Sequence, residues 1–171
     1  MHPSPLKIRP ARASDAQHLA RAERAIATTP GFLVSHPSEL HDERFAQTIA
    51  ALSGVDNGRY LVAEQEERIV GHGLLDPMPL AAVRHVVRLT LVAHPGYQGQ
   101  GVGQALLSSL IAWARSAPAV EKIELNVRSS NTRAQALYRK MGFVEMGRWR
   151  RRVKVGPGEY LDDIAMELFV E

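Results

Sequence analysis

A cluster of glycines between a predicted strand and a predicted helix is the feature that most limits how this chain folds. Residues 98–103 read Gln-Gly-Gln-Gly-Val-Gly. They follow the apolar, β-branched run of residues 86–93 and precede a stretch with apolar residues at helical spacing. Glycine lets a backbone approach a ligand that a side chain would block. A helix N-terminus adds unpaired N–H groups and a partial positive charge, so the loop predicts an anion site in an α/β domain.

Two common nucleotide-binding loops do not fit this pattern. The P-loop ends in Gly-Lys-Ser/Thr, whereas Gly103 is followed by Gln104 and an alanine. The dinucleotide fingerprint Gly-x-Gly-x-x-Gly belongs to the first βαβ unit of its domain. Here the glycines stand at positions 99, 101 and 103, beyond the middle of the chain. We therefore expect neither a P-loop nor a Rossmann-type dinucleotide site.

Periodicity along the rest of the chain predicts further strands and helices. Residues 14–17, Ser-Asp-Ala-Gln, have the form of a capping box that starts the first helix. Strands are predicted at residues 6–10, 60–64, 68–75, 86–93, 122–127, from 143 onward, and at 159–169. Helices are predicted from 14, around 45–52, from the glycine loop to about 117, and from 131. The order β-α-α-β-β-β-α-β-α-β-β, without a repeat or linker, predicts one α/β domain over residues 1–171 with a mixed sheet.

Composition excludes several classes of protein. The chain has 171 residues, 45% of them apolar and 23% charged, which is an ordinary globular balance. It has no cysteine, so disulfides, thiolate metal sites and a cysteine nucleophile are excluded, and no two histidines have HExxH spacing. We therefore expect no metal. No apolar run approaches the ~18–20 residues of a membrane span, and the N-terminus lacks a signal-peptide core, so we expect a soluble, cytoplasmic protein without a membrane partner.

Two motifs together resemble those of the GNAT superfamily of N-acetyltransferases. Gln98, Gly101 and Gly103 are similar to the family's acyl-CoA signature, Gln/Arg-x-x-Gly-x-Gly/Ala, between a strand and a helix. The second motif resembles the family's Asn-x-x-Ala…Leu-Tyr-x-x-x-Gly-Phe helix, at Asn131, Ala134, Leu137, Tyr138, Gly142 and Phe143. The resemblance implies a single-domain GNAT-like fold. Such a fold has a mixed central sheet of about seven strands, a splay between the central strands, and about four flanking helices.

The resemblance also implies a site for acetyl-CoA. In the family, the loop backbone holds the CoA pyrophosphate, and the preceding strand pairs with the pantetheine arm. Tyr138 is implied to protonate the leaving thiolate, and Asn131 to bond the pantetheine; a core tyrosine and a plain helix cap are the alternatives. The implied cofactor-binding residues are Leu91, Val92, Ala93, Gln98, Gly99, Gln100, Gly101, Val102, Gly103, Gln104 and Asn131.

The residue at the position of one subfamily's catalytic glutamate is different in this chain. Ribosomal-protein alanine N-acetyltransferases read Leu-Glu-Val-Arg where residues 125–128 of this chain read Leu-Asn-Val-Arg. Asn126 cannot accept a proton. A water relay, or His85, His72 or Asp76, must serve if a base is needed, and we expect His94 to be structural.

The segment near the C-terminus indicates a class of acceptor substrate. Residues 147–166 loosely resemble the tail of bacterial GNAT enzymes that acetylate free L-amino acids and small amines. Three interpretations of its basic residues stay open: a solvated edge strand, a patch for a carboxylate or the CoA phosphates, and nucleic-acid binding. The last is disfavoured because only one aromatic residue, Trp149, lies among them to stack on bases. These residues are Arg148, Arg150, Arg151, Arg152 and Lys154.

The function expected from these observations is acetyl-CoA-dependent N-acetyl transfer to the primary amine of a small molecule, an amino acid or an analogue. The amine would attack directly in a ternary complex, and the absence of cysteine argues against a cysteinyl intermediate. A protein N-terminal or lysine acetyltransferase and a non-catalytic acyl-CoA-binding sensor are the alternatives. The family builds its acceptor pocket from segments that correspond to residues 30–40 and 148–160. We expect no nucleic-acid partner, and a homodimer, common among relatives, is left open.

Overall fold

Seven strands form one mixed sheet in the computed structural model, which describes residues 5–170. They follow the order β1-β2-β3-β4-β5-β7-β6; β4 and β5 are parallel, and the other neighbours are antiparallel. The strands are β1 Lys7–Pro10, β2 Arg59–Gln65, β3 Arg68–Pro77, β4 Val86–Ala93, β5 Lys122–Arg128, β6 Val144–Gly156 and β7 Glu159–Phe169. The α-helices are α1 Ala16–Ala27, α2 Asp42–Leu52, α3 Val102–Ser116 and α4 Thr132–Lys140. The order of these strands and helices confirms the predicted fold.

Helices pack on both faces of the sheet. Leu106 and Leu110 of α3 lie in one apolar cluster with Leu61 of β2, and Leu19 of α1 lies in a second cluster with Val62 of β2. Successive strand residues face opposite sides, so adjacent residues of β2 reach both clusters. Within residues 5–170, no helix is both long enough and apolar enough to cross a bilayer.

The first helix begins differently from the prediction. A short 3₁₀ turn, Ala13–Asp15, precedes α1, and the Asp15 carboxylate accepts a hydrogen bond from the Arg12 backbone N–H at 2.7 Å. Asp15 also forms an ion pair with Arg9 at 2.8 Å. The capping box predicted at residues 14–17 is therefore wrong in its detail, because Asp15 rather than Ser14 satisfies the backbone at this end.

The two central strands separate soon after they begin. β4 and β5 pair only at Val86 with Lys122, Val87 with Ile123, and Arg88 with Glu124. β4 continues to Ala93 and β5 to Arg128, so in the described part of the chain residues 89–93 have no strand partner on the β5 side. This divergence confirms the predicted splay and opens a wedge in the middle of the sheet.

The basic segment predicted near the C-terminus lies on β6, at the edge of the sheet. Its pairing with β7 shifts between Trp149 and Val153, where Arg151 has a φ of 52°. The Arg151 backbone N–H donates to Asp162 Oδ1 at 2.9 Å, which holds the bulge. Arg152, within the bulge, and Val153, where pairing with β7 resumes, line the central wedge described below.

Candidate active site

The glycine loop presents a free helix N-terminus at the end of β4. Gly99 and Gly101 have φ values of 76° and 85°, in the left-handed region that glycine adopts without penalty. Gly101 precedes α3, and no side chain caps the helix there. The first-turn N–H groups of Val102, Gly103 and Gln104 therefore lack helical partners. The loop has the geometry of an anion cradle, as predicted.

Two glutamines fix the shape of this loop. The Gly96 N–H donates to Gln98 Oε1 at 3.1 Å, and Gln100 Nε2 donates to the Gly96 carbonyl at 2.6 Å. Gln98 Nε2 also reaches the Ala93 carbonyl at 3.4 Å. Both side chains thus bond the protein's own backbone, so a ligand would meet these residues through their main chain.

Arg133 is a candidate site residue that the sequence analysis missed. A Cβ placed on Gly99 would lie 2.9 Å from Arg133 Nη1, so the guanidinium of α4 stands directly over the loop. Lys140, one further residue of α4, donates to Gln104 Oε1 at 3.0 Å. The seven-residue interval between these cations puts both on one face of α4, and only knowledge of the helix packing shows that this face meets the loop.

The backbone of β4 alternates between β3 and the wedge. The Met78 N–H donates to the Val86 carbonyl at 3.0 Å, and the His94 N–H donates to the Val70 carbonyl at 2.9 Å. Because antiparallel pairing repeats every two residues, Val92 also faces β3, whereas Leu91 and Ala93 turn their backbone groups into the wedge. Of the three predicted pantetheine-pairing residues, Val92 is the one not placed to meet a ligand there.

Asn131 and Tyr138 lie at the two ends of α4. Asn131 Oδ1 accepts a hydrogen bond from the Ala134 N–H at 3.2 Å, so Asn131 caps the helix. Tyr138 is only 7% exposed, with its ring centroid 5.7 Å from that of Phe143. Burial raises the pKa of Tyr138 to about 12, against a smaller opposing effect of the Arg128 charge. The phenol therefore stays protonated at neutral pH, as a proton donor must.

An open cleft of about 320 Å³ occupies the wedge on the side away from the glycine loop. The predicted acceptor segments 30–40 and 148–160 both contribute to it. Asn126 lies in it as well. The lining residues are Val34, Arg88, Leu89, Thr90, Asn126, Arg128, Arg152, Val153 and Asp163.

The residues that line this cleft carry more positive than negative charge. Three guanidiniums face one carboxylate, and Arg128 Nε lies 3.0 Å from Asp163 Oδ1. Arg88 Nη2 donates to the sulfur of Met78 at 3.8 Å, and the Arg152 guanidinium lies over the ring of Trp149. Neither has a carboxylate partner within ion-pair distance in residues 5–170, so the cleft has cationic groups free to bind an anion.

The candidate bases from the sequence do not line the cleft. His72 is fully buried between Glu23, whose Oε1 is 2.8 Å from His72 Nε2, and His94, whose Nε2 is 2.9 Å from His72 Nδ1. His85 and Asp76 are absent from the lining as well. Residues 5–170 also contain no cluster of three or more acidic or histidine side chains that could hold a metal.

His94 predicts how stability depends on pH. Burial, with the charges of His72 and His18, lowers its pKa from 6.5 to about 3. The folded state therefore resists protonation that the unfolded chain accepts, so stability is full above pH 6.5 and falls as the pH drops toward 3. The expected slope is up to about 1.4 kcal/mol per pH unit. Urea unfolding across this range measures it; an equally steep loss in His94→Gln would contradict the assignment.

Comparison with known proteins shows the family of the chain. A family model described as "Acetyltransferase (GNAT) family" matches residues 22–143, which span the wedge, the glycine loop and α4. The chain belongs to the GNAT family of acetyltransferases. The GNAT family uses acetyl-CoA as the acetyl donor, so the chain is an acetyl-CoA-dependent N-acetyltransferase.

Individual GNAT relatives differ in their acceptors. The chain is 29% identical to the L-amino acid N-acetyltransferase AaaT of Escherichia coli over 75% of each protein. It is 41% identical to the N-alpha-acetyltransferase RimI of Mycobacterium tuberculosis, but over only 39% of each. The solved structure of yncA from Salmonella typhimurium, determined with acetyl-CoA, superposes with a TM-score of 0.87 at 22% identity, over 98% of this chain and 95% of that one.

Proposed function

We propose that this GNAT enzyme acetylates the α-amino group of a free L-amino acid or a close analogue. The observation that carries the proposal is the pair of arginines without acidic partners, Arg88 and Arg152, in the cleft of the wedge. A guanidinium binds a carboxylate through paired, charge-assisted hydrogen bonds. A free amino acid presents such a carboxylate next to its amine, whereas an internal lysine side chain does not.

The arginines are poorly placed to serve the CoA phosphates instead. Arg88 precedes Ala93 by five residues of extended strand, which is about 17 Å, and the glycine loop lies beyond Ala93. The helix N-terminus at the loop, Arg133 and Lys140 supply positive charge at that end. This separation supports donor phosphates at the loop and an acceptor carboxylate near Arg88.

The donor site follows from the loop and the open edge of β4. Backbone N–H groups at the start of α3, from Val102 to Gln104, would bind the pyrophosphate, with Gly99 and Gly101 leaving room for it. Leu91 and Ala93 offer backbone groups to the pantetheine arm, and Asn131 Nδ2 is available to it beside the helix cap. The thioester would then lie in the wedge, next to the acceptor cleft.

The reaction needs no covalent enzyme intermediate. The acceptor ammonium first loses one proton to solvent, and its nitrogen lone pair then attacks the thioester carbonyl carbon. The carbon–sulfur bond breaks, and the CoA thiolate takes the phenolic proton of Tyr138. The second proton of the former amine returns to Tyr138 through solvent. An N-acetyl amino acid and free CoA result, with one net proton released.

Variants of the arginines test the acceptor class. Arg88→Leu and Arg152→Leu are each expected to raise KM for L-leucine by about 10–100-fold, because each removes a charge-assisted hydrogen bond. KM for isoamylamine, which is leucine without its carboxylate, should stay within a few-fold of wild type. Thiol release from acetyl-CoA measures both.

Arg150→Leu is the matched control, because Arg150 is an exposed residue of the same strand that does not line the cleft. It should leave both KM values unchanged. If the wild-type enzyme acetylated the N-termini of peptides but no free amino acid, the proposal would be overturned in favour of a protein N-terminal acetyltransferase.

A further inference from the structure

Asp163 is the single carboxylate among the residues that line the acceptor cleft. It lies on β7, directly opposite Arg128 of β5 in the pairing register. Neither the sequence motifs nor the candidate bases drew attention to it. Its position beside Asn126 in the cleft raises the question of what it binds.

The carboxylate of Asp163 is buried without a hydrogen bond. The residue is 5% exposed, and its Oδ1 lies 3.0 Å from Arg128 Nε, but the two groups are not aligned and neither atom takes part in a hydrogen bond. Besides this ion pair, Arg128 Nη2 donates to the Asn126 carbonyl at 2.7 Å. Buried carboxylates normally accept several hydrogen bonds. Asp163 therefore has acceptor capacity that the described residues do not use.

Asp163 lies close to Asn126 and on the same face of the sheet. Asn126 pairs with Ala165, so Asp163 lies one strand over and two residues along, with its side chain on the same face. In the ribosomal-protein acetyltransferases that the sequence resembles, a glutamate stands where this chain has Asn126. Asp163 and Asn126 line one cleft, so Asp163 supplies a carboxylate there that position 126 does not.

We propose that Asp163 binds the ammonium group of the acceptor and holds its nitrogen toward the thioester. The inference rests on the proposed function and extends it: Arg88 and Arg152 take the carboxylate of the amino acid, and Asp163 takes its amine. An ammonium N–H would donate to the Asp163 carboxylate, which supplies the hydrogen bond that it lacks. The two ends of a zwitterion thus meet opposite charges, and an acceptor without an amine leaves Asp163 Oδ1 without that hydrogen bond.

Binding to the CoA-loaded protein isolates this contact. L-leucine and isocaproate, which is leucine without its amine, are titrated by calorimetry in the presence of CoA, so that no turnover occurs. Asp163→Asn should weaken L-leucine binding by about 10–100-fold and leave isocaproate binding unchanged. A role in packing alone would weaken both ligands equally. Equal binding of L-leucine by wild type and Asp163→Asn would overturn the proposal.

Glu167→Gln is the matched control. Glu167 is a buried acid on the same face of β7, and it is paired with Lys122 outside the acceptor cleft. This variant should bind both ligands as wild type does. If Asp163→Asn fails to fold, Asp163→Glu replaces it: the longer side chain keeps the charge, so leucine should still bind more tightly than isocaproate while kcat falls.

A rescue variant and the choice of acceptor distinguish a failure of the Asp163 proposal from a failure of the proposed acceptor class. Adding Asn126→Glu to Asp163→Asn should recover part of the lost kcat/KM, because it returns a carboxylate to the cleft. If wild type acetylates peptide amines and no amino acid, the acceptor proposal fails, but the same variants then test Asp163 on the peptide amine. No loss of kcat/KM on whichever amine wild type acetylates would refute the role of Asp163.

Discussion

Replacing Tyr138 by phenylalanine is expected to lower kcat by about 100-fold or more, the usual scale for losing a general acid. The substitution removes one hydroxyl from a ring that packs beside Phe143, so the fold should be retained. KM for acetyl-CoA should change little. Initial rates of thiol release at saturating acceptor measure the effect.

Tyr60→Phe is the matched control for this variant. Tyr60 is also a buried tyrosine whose pKa is raised by burial, but it lies in the second core cluster with α1 and α2. Its loss should leave kcat unchanged. Unaltered turnover in Tyr138→Phe as well would reduce Tyr138 to a packing residue.

The pH dependence of kcat also tests Tyr138 as the proton donor. Burial raises the pKa of Tyr138 to about 12, so the phenol is protonated through the range in which the acceptor amine loses its proton. The rate should therefore rise with pH and then stay level, without a decline from Tyr138 below about pH 11. A decline near pH 10, the value of an exposed phenol, would contradict the buried donor.

Replacing Gly101 by valine is expected to weaken CoA binding by at least about 100-fold. A Cβ at Gly101 meets no protein atom within 4 Å, so the branched side chain would project into the open space at the start of α3. There it would block the approach of a phosphate to the helix N–H groups. The φ of 85° adds strain for a β-branched residue. Calorimetric titration with CoA gives the affinity.

Gly54→Val separates strain from obstruction. Gly54 also has a positive φ, 78°, and open space at its Cβ, but it lies in the turn after α2. Its substitution should lower stability by a similar amount and leave CoA affinity unchanged. A folded Gly101→Val protein with wild-type affinity would count against the glycine loop as the donor site.

Local patterns predicted the scaffold and the position of the glycine loop. Helical and strand periodicities are set by which face of each element is buried, so the order of elements was accessible from the sequence. The loop was accessible too, because closely spaced glycines such as Gly99 and Gly101 mark a backbone conformation that other residues avoid. Tyr138 entered through a motif whose seven-residue spacing from Asn131 corresponds to about two turns of α4.

Contacts between strands distant in sequence were not accessible. Asp163 meets Arg128 only because β7 inserts between β5 and β6, an order that periodicity cannot reveal. Arg133 reaches the glycine loop through the packing of α4. The burial of His72 against Glu23 likewise depends on how α1 crosses the sheet, which is why His72 seemed available as a base.

Product analysis tests the acetylation of free amino acids most directly. Acetyl-CoA is mixed with L-leucine and other free amino acids, and N-acetyl product is quantified by mass spectrometry beside free thiol. The protein contributes no thiol of its own, because it has no cysteine. We expect N-acetyl amino acid and free CoA in equal amounts, with both lost in Tyr138→Phe. Tight CoA binding without release of thiol in the presence of any amine would instead show an acyl-CoA sensor and contradict the proposed activity.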